Sequence, residues 1–232
     1  MPKLIKSQDP DALAADMIAE FIQQKPDAVL GLATGSTPIG IYKKLIEKNL
    51  DFSRVRTFNL DEYVGLAQSH PQSYYHFMQE NLFKHTNIKK ENINFLNGLA
   101  SDIQKETARY EDLMRQTPID IQLLGIGTNG HIAFNEPGSP QDSTSRKIVL
   151  TQQTIKDNSR FFSPGEKQPE EALSMGIQSI MAAKQIILIA KGQNKTKAIH
   201  TALYGPSTTD CPASFLQNHR NCIFILDPHV DI

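Results

Sequence analysis

The chain has 232 residues, 39% hydrophobic and 21% charged, which is enough apolar material for a substantial core and excludes intrinsic disorder. With 24 Lys and Arg against 25 Asp and Glu the net charge is −1, which excludes a global basic field for holding a nucleic-acid backbone or an anionic membrane. Two cysteines, Cys211 and Cys222, exclude a disulfide scaffold or a zinc-finger framework. In chain order, Asp9 and Pro10 form an N-cap and first turn for a helix whose face is Leu13, Met17, Ile18, Phe21 and Ile22. An apolar strand at 28–33 runs into a TGSTP turn, followed by a helix at 38–48. Residues 55–60 read as a strand, 74–83 and 103–114 as helices, and 119–126 as a strand entering a glycine-rich turn. A further strand is expected at 147–151, a helix at 171–183 interrupted by Gly176, a strand at 185–190, a helix at 195–204 and a last strand at 222–226.

Strands and helices that alternate in this way imply an α/β fold with a mostly parallel sheet covered on both faces. Unbroken apolar strands such as IILIA and CIFIL fit that burial. No repeat, low-complexity tract or shift in composition marks a boundary, so a single domain over 1–232 is expected. Apolar runs such as 186–190 are far too short for a membrane span. Residues 1–10 have no apolar signal region, and the expected location is cytoplasmic.

In open α/β sheets ligands collect at the carboxyl ends of strands, so four strand-to-loop transitions carry the chemistry. At the first, Gly35 permits close backbone approach and Ser36 and Thr37 add hydroxyls at a helix start. This is an anion cradle or, equally well on these residues alone, an ordinary capped turn. At the second, Asp61 and Glu62 end an apolar strand. Asp61 is placed to act as a general base, although a capping Asp61 with a solvated Glu62 fits the pair better when it is read by itself. The third, GIGTNGHIAFNEP (125–137), puts three glycines, His131 and Glu136 in one segment, so a proton-transfer group and an acid share a pocket. No HExxH or CxxC pattern accompanies them, and no metal is expected. The fourth is cationic, with Arg160 in NSRFF and Lys195 after KGQN, an Arg fork and a Lys point charge suited to a phosphate dianion.

Taken together, GLATGSTPIGIYKKL, FNLDEYVGL, GIGTNGHIAFNEPG, NSRFF and GQNKTKA resemble the glucosamine-6-phosphate deaminase (isomerase) family in order and separation, from about Val29 to Leu226. The resemblance implies a Rossmann-like three-layer α/β/α sandwich shared with 6-phosphogluconolactonases. It also implies a hydrolase of amino-sugar catabolism that converts glucosamine 6-phosphate and water to fructose 6-phosphate and ammonia. Carried over by position, Asp61 moves the proton between C2 and C1, His131 assists ring opening, and Glu136 supports His131. Gly35, Ser36, Thr37, Arg160 and Lys195 hold the phosphate, and no cofactor is required. Many longer members have Asp where this chain has Asn129, so either Glu136 carries more of the charge relay or Asn129 only orients His131.

A 6-phosphogluconolactonase shares the Gly-His turn, but FNEP after His131 and FNLDE around Asp61 favour the deaminase. A sugar-phosphate-sensing regulator is disfavoured because Asp61, His131 and Glu136 are all present and no DNA-binding module is evident. Long members are hexamers activated by N-acetylglucosamine 6-phosphate through basic residues after the catalytic loop and a C-terminal extension. Here Arg146 matches one such residue, the second position is Ile148 with Lys147 displaced by one, and the chain ends at Ile232. The expectation is a monomer without allostery, whose partner is the small-molecule substrate rather than nucleic acid or membrane.

Overall fold

The structure, a computed structural model, describes residues 1–151, 154, 155, 162 and 168–232. Its elements are β1 (Lys3–Lys6), α1 (Pro10–Gln24), β2 (Val29–Leu32), α2 (Ile39–Glu47), β3 (Arg56–Asn59), β4 (Asp61–Tyr63), α3 (Tyr74–Asn81) and β5 (Ile93–Asn94), then α4 (Ile103–Gln116), β6 (Ile121–Leu124), β7 (Arg146–Val149), β8 (Glu171–Ser174), α5 (Ile177–Met181), β9 (Gln185–Ala190), α6 (Thr196–Tyr204) and β10 (Cys222–Leu226). Seven strands form one sheet in the order β1-β10-β9-β6-β2-β3-β5, and every pairing in it is parallel. Alternate residues of these strands enter two separate cores. Leu30, Leu32, Leu123, Ile187 and Ile225 pack with α1, α2 and α3, while Phe58, Leu124, Leu188 and Phe224 pack with α4, α5 and α6. Because both faces of the central strands are dry, β2, β9 and β10 carry no polar alternation, and this is what made them visible as apolar runs. The expected three-layer α/β fold is the one observed.

The order of strands places the site. From β2 the chain proceeds through β3 to β5 on one side, and from β6 through β9 to β10 on the other. The direction reverses between the adjacent strands β2 and β6, whose carboxyl ends open a crevice between diverging loops. The turn at 34–37 follows β2 and the glycine-rich loop follows β6, so the topology brings them together. A Cβ at Gly125 would sit 3.8 Å from Thr37.

Helix α1 starts as expected, with the Asp9 carboxylate accepting from Ala12 N at 2.9 Å and Pro10 in the first turn. Its deepest contacts come from Ala14, Ala15, Ile18, Ala19 and Ile22. Leu13, Met17 and Phe21 are only partly buried, because small alanines allow a closer approach to the sheet than the larger side chains beside them. The helix expected at 171–183 is a correction: residues 171–174 are strand β8, and helix α5 begins only after Gly176. β8 pairs antiparallel with β4 on one side and β7 on the other. These partners satisfy its backbone, and that tertiary pairing overrides the local helical pattern. A Cβ on Gly176 would overlap the carbonyls of Ser143 and Thr144, so this position requires glycine. Strands β1, β4 and β5 were not expected; β4 follows β3 after one residue and has three residues. β1 is a mostly exposed edge strand that reads as polar, and β5 has only two residues.

Candidate active site

The loop after β6 is shaped by its glycines. Gly130 has φ +85°, in the left-handed region where a side chain is strained. Gly127 N donates to His131 O at 2.9 Å, and the imidazole lies so close over Gly127 that a Cβ there would overlap the ring. Ala213 N braces the turn from outside by donating to Gly130 O at 2.9 Å. Ala133 takes φ +52°, a rare conformation for a residue with a Cβ, and Asn135 holds the bend by donating to Ile132 O and Met175 O at 3.1 and 2.8 Å. Replacing Gly127 with Ala should therefore push the ring aside and lower kcat about tenfold, equivalent to about 1.4 kcal/mol of transition-state stabilisation. Steady-state kinetics with unchanged thermal stability is the check, and a wild-type kcat would show that the ring tolerates the methyl group.

Glu136 collects its partners around this turn. Asn129 Nδ2 donates to Oε2 at 2.7 Å, Thr154 Oγ1 donates to Oε1 at 2.9 Å, and His131 Nδ1 lies 3.5 Å from Oε1. Burial alone would raise the Glu136 pKa, but the interaction with His131, followed by the Asn129 and Thr154 donors, brings it down to about 2. A carboxylate held ionised beside an imidazole stabilises the imidazolium that forms when the ring takes a proton. Asn129 also accepts from His131 N at 3.2 Å through its Oδ1. It thus links the acid and the turn without charge, as an orienting residue would.

Asp61 opens β4, opposite Ser174 of β8, and is 6% exposed. Its Oδ1 has no hydrogen-bond partner. Burial, then the neighbouring Glu62 charge, raise its pKa to about 8 against a hydrogen bond from Thr34. A buried carboxylate with one oxygen unengaged is a strong proton acceptor once ionised. Glu62 is not solvated. It is 1% exposed, and its carboxylate accepts from the backbone N–H of Tyr63, Tyr74 and Tyr75 at 2.8 to 2.9 Å. It therefore caps α3 at the end where the helix dipole favours a negative charge, and burial pushes its pKa upward against those three donors.

Gly35 turns with φ +87°, leaving Ser36 exposed just before α2. Thr34, Gly35, Ser36, Thr37, Asp61 and His131 all line one cavity of about 270 Å³, together with Gly125, Gly127, Tyr74 and Phe134. Tyr74 and Phe134 stack with ring centroids 6.0 Å apart and form its apolar wall. Lys195 closes a 3-10 turn after β9. It has no ion-pair partner among the described residues, and burial lowers its pKa. It does not line the cavity, and Arg160 lies outside the described residues. A cavity of about 480 Å³ opens elsewhere, lined by the first residue of β2 and by Lys25, Arg54 and Lys184, but no histidine lines it. Among the described residues no three His, Cys, Asp or Glu side chains gather as metal ligands, and no helix is long and apolar enough to cross a membrane. Thr34, Tyr74 and Thr154 were not singled out in the sequence. Thr34 opens the turn already noted, but nothing local marked the other two.

A buried carboxylate, an imidazole–carboxylate pair and the 34–37 turn meet at the carboxyl ends of parallel strands, groups of the kind that α/β enzymes use to move protons. The chain belongs to the glucosamine-6-phosphate isomerase/6-phosphogluconolactonase family, whose profile matches residues 8–225. It is 53% identical over 228 residues to glucosamine-6-phosphate deaminase 1 of Giardia intestinalis, covering 96% of this chain and 86% of that protein. It is 52% identical over 219 residues to the glucosamine-6-phosphate deaminase of Clostridium novyi, covering 92% and 91%. A monomeric glucosamine-6-phosphate deaminase of known structure superimposes with a TM-score of 0.94 at 41% identity over 98% of each chain. The 6-phosphogluconolactonase of Thermotoga maritima shares the fold with a TM-score of 0.76 at 20% identity.

Proposed function

We propose that this protein is a glucosamine-6-phosphate deaminase, converting glucosamine 6-phosphate and water to fructose 6-phosphate and ammonia. The observation that carries this reading is that Asp61 and His131 line one strand-end cavity, with Glu136 behind the imidazole. His131 takes the proton of the anomeric hydroxyl and returns one to the ring oxygen as the pyranose opens, while Glu136 balances the transient imidazolium charge. Asp61 removes the C2 proton of the open-chain aldehyde and delivers it to C1 through an enolamine, while a second proton leaves the nitrogen and one reaches the C1 oxygen. The resulting C2 imine adds water and releases ammonia, leaving the ketone. Asn129 holds Glu136 and the turn in place. Gly35, Ser36 and Thr37 receive the 6-phosphate together with Lys195 and Arg160. A lactonase needs no acid to move a carbon-bound proton, and the buried Asp61 would then have no task.

Incubation with glucosamine 6-phosphate, with ammonia and fructose 6-phosphate both measured, tests the reading. Hydrolysis of 6-phosphogluconolactone instead would replace it with the lactonase.

The same reading extends to assembly and regulation. Arg146 and Ile148 are partly buried while Lys147 and Val149 on the same strand point outward. Lys147 pairs with Glu171 at 2.7 Å. The basic side chain displaced by one residue thus faces away from Arg146 and is already engaged, which weakens a second anion site there. We expect a monomer by light scattering and hyperbolic kinetics that N-acetylglucosamine 6-phosphate alters only by competition. Sigmoidal curves made hyperbolic by that ligand would reject this expectation.

A further inference from the structure

The turn carrying Lys195 and the loop carrying Ser36 and Thr37 follow different strands, and one side chain ties them together. Lys191 follows the last residue of β9. Its Nζ donates to both carboxylate oxygens of Asp11 at 2.9 Å and to Thr37 O at 3.0 Å. An ammonium has three protons, so Lys191 has no donor left for an anion. Asp11 lies in the first turn of α1, and a Cβ on Gly40 of α2 would overlap its carboxylate. The next residue, Gly192, is fixed in turn: its φ is +90°, its N–H donates to the Asp227 carboxylate at 2.8 Å, and its carbonyl accepts from Lys195 N at 3.0 Å.

We propose that Lys191, held by Asp11, is a positioning residue that fixes the 34–37 loop against the Lys195 turn, so that the two halves of the anion site are spaced before a ligand arrives. This inference rests on the phosphate reading given above. Without the strut, a ligand has to order two loops as it binds, and that cost appears as weaker binding rather than slower chemistry. The Lys191–Asp11 pair is partly exposed, with side chains 31% and 19% accessible, so it contributes little to global stability. Its removal should therefore be felt at the site more than in the fold.

The test combines kinetics with binding of inorganic phosphate measured by calorimetry. Lys191→Met keeps the apolar stem and removes the three hydrogen bonds. The expected result is a rise of about fivefold to tenfold in both the KM for glucosamine 6-phosphate and the Kd for phosphate, the larger figure being equivalent to about 1.4 kcal/mol, with kcat nearly unchanged. Asp11→Asn should shift both constants in the same direction. Combined with Lys191→Met it should add nothing further, because both changes break one linkage. Gly40→Ala displaces the Asp11 carboxylate without altering Lys191 and provides the test should Lys191→Met fail to fold. Wild-type KM and phosphate affinity in Lys191→Met, or in Gly40→Ala where that variant stands in, overturns the proposal, as does a lowered Tm with unchanged phosphate affinity. If the wild type released no ammonia but Lys191→Met still weakened phosphate binding, the strut would stand and the assigned reaction would fall. No measurable phosphate binding by the wild type would remove the site and the strut with it.

Discussion

Asp61→Asn should lower kcat by about 10²–10⁴-fold, the range that a positioned general base contributes, while KM changes little. The substitution keeps the shape of the side chain and removes its ability to accept the C2 proton. The base must be ionised to work, and burial next to Glu62 raises its pKa to about 8. In the wild type, kcat/KM should therefore fall as the pH drops through about 8, well above the range of an exposed carboxylate, and this acid limb should be absent from the residual activity of the variant. Stability should move the opposite way. The folded state holds a proton on Asp61 up to about pH 8, whereas an unfolded Asp releases it near the ordinary 3.8. Its contribution to stability is therefore complete below the unfolded value and is lost as pH rises through the folded one. The Asn variant escapes that loss and should melt higher than the wild type above pH 8, with the gap closing towards pH 4. Retention of most wild-type kcat would remove Asp61 from the mechanism.

Lys195→Ala should raise KM by about tenfold to a hundredfold, since a hydrogen bond to a charged group is worth about 1.5–3 kcal/mol. The ammonium is half-buried, has no ion-pair partner among the described residues, and has its pKa lowered by burial. It bears a desolvation cost that a phosphate dianion would relieve. Glucosamine lacking the phosphate should react poorly with the wild type and be almost insensitive to the substitution. Equal turnover of the two sugars by the wild type would remove the anion site. The contrast with Lys191→Met is informative, because Lys195 is expected to touch the phosphate, whereas Lys191 acts through Thr37.

Much of this site was legible along the chain. The turn at 34–37, Asp61 and the loop carrying His131 each follow an apolar strand, and the structure puts them around one cavity, with Glu136 and Asn129 behind the imidazole. The opposite role of Glu62 was not legible. An acid following an acid at a strand end has no local sign of burial. Beside the N–H of the adjacent Tyr63, the start of α3, twelve and thirteen residues further on, supplies the two N–H groups that hold it. Tyr74 reaches the site for the same reason, carried there by α3, whose own pattern says nothing about its destination.

What the sequence determined by itself was the alternation of strand and helix and the identity of the loops that carry chemistry. Strands buried on both faces must be continuously apolar, and tight turns beside a ligand must be glycine-rich, so both leave local marks. The tertiary structure alone decided which loops meet, by placing β2 beside β6 where the strand order reverses. It also decided that residues 171–174 form a strand, because their hydrogen-bond partners on β4 lie more than a hundred residues earlier in the chain. It decided, too, that Lys191 is engaged between Asp11 and Thr37 while Lys195 stays unpaired among the described residues. Two lysines four residues apart read alike in a sequence, and only partners brought in from distant segments give them different work.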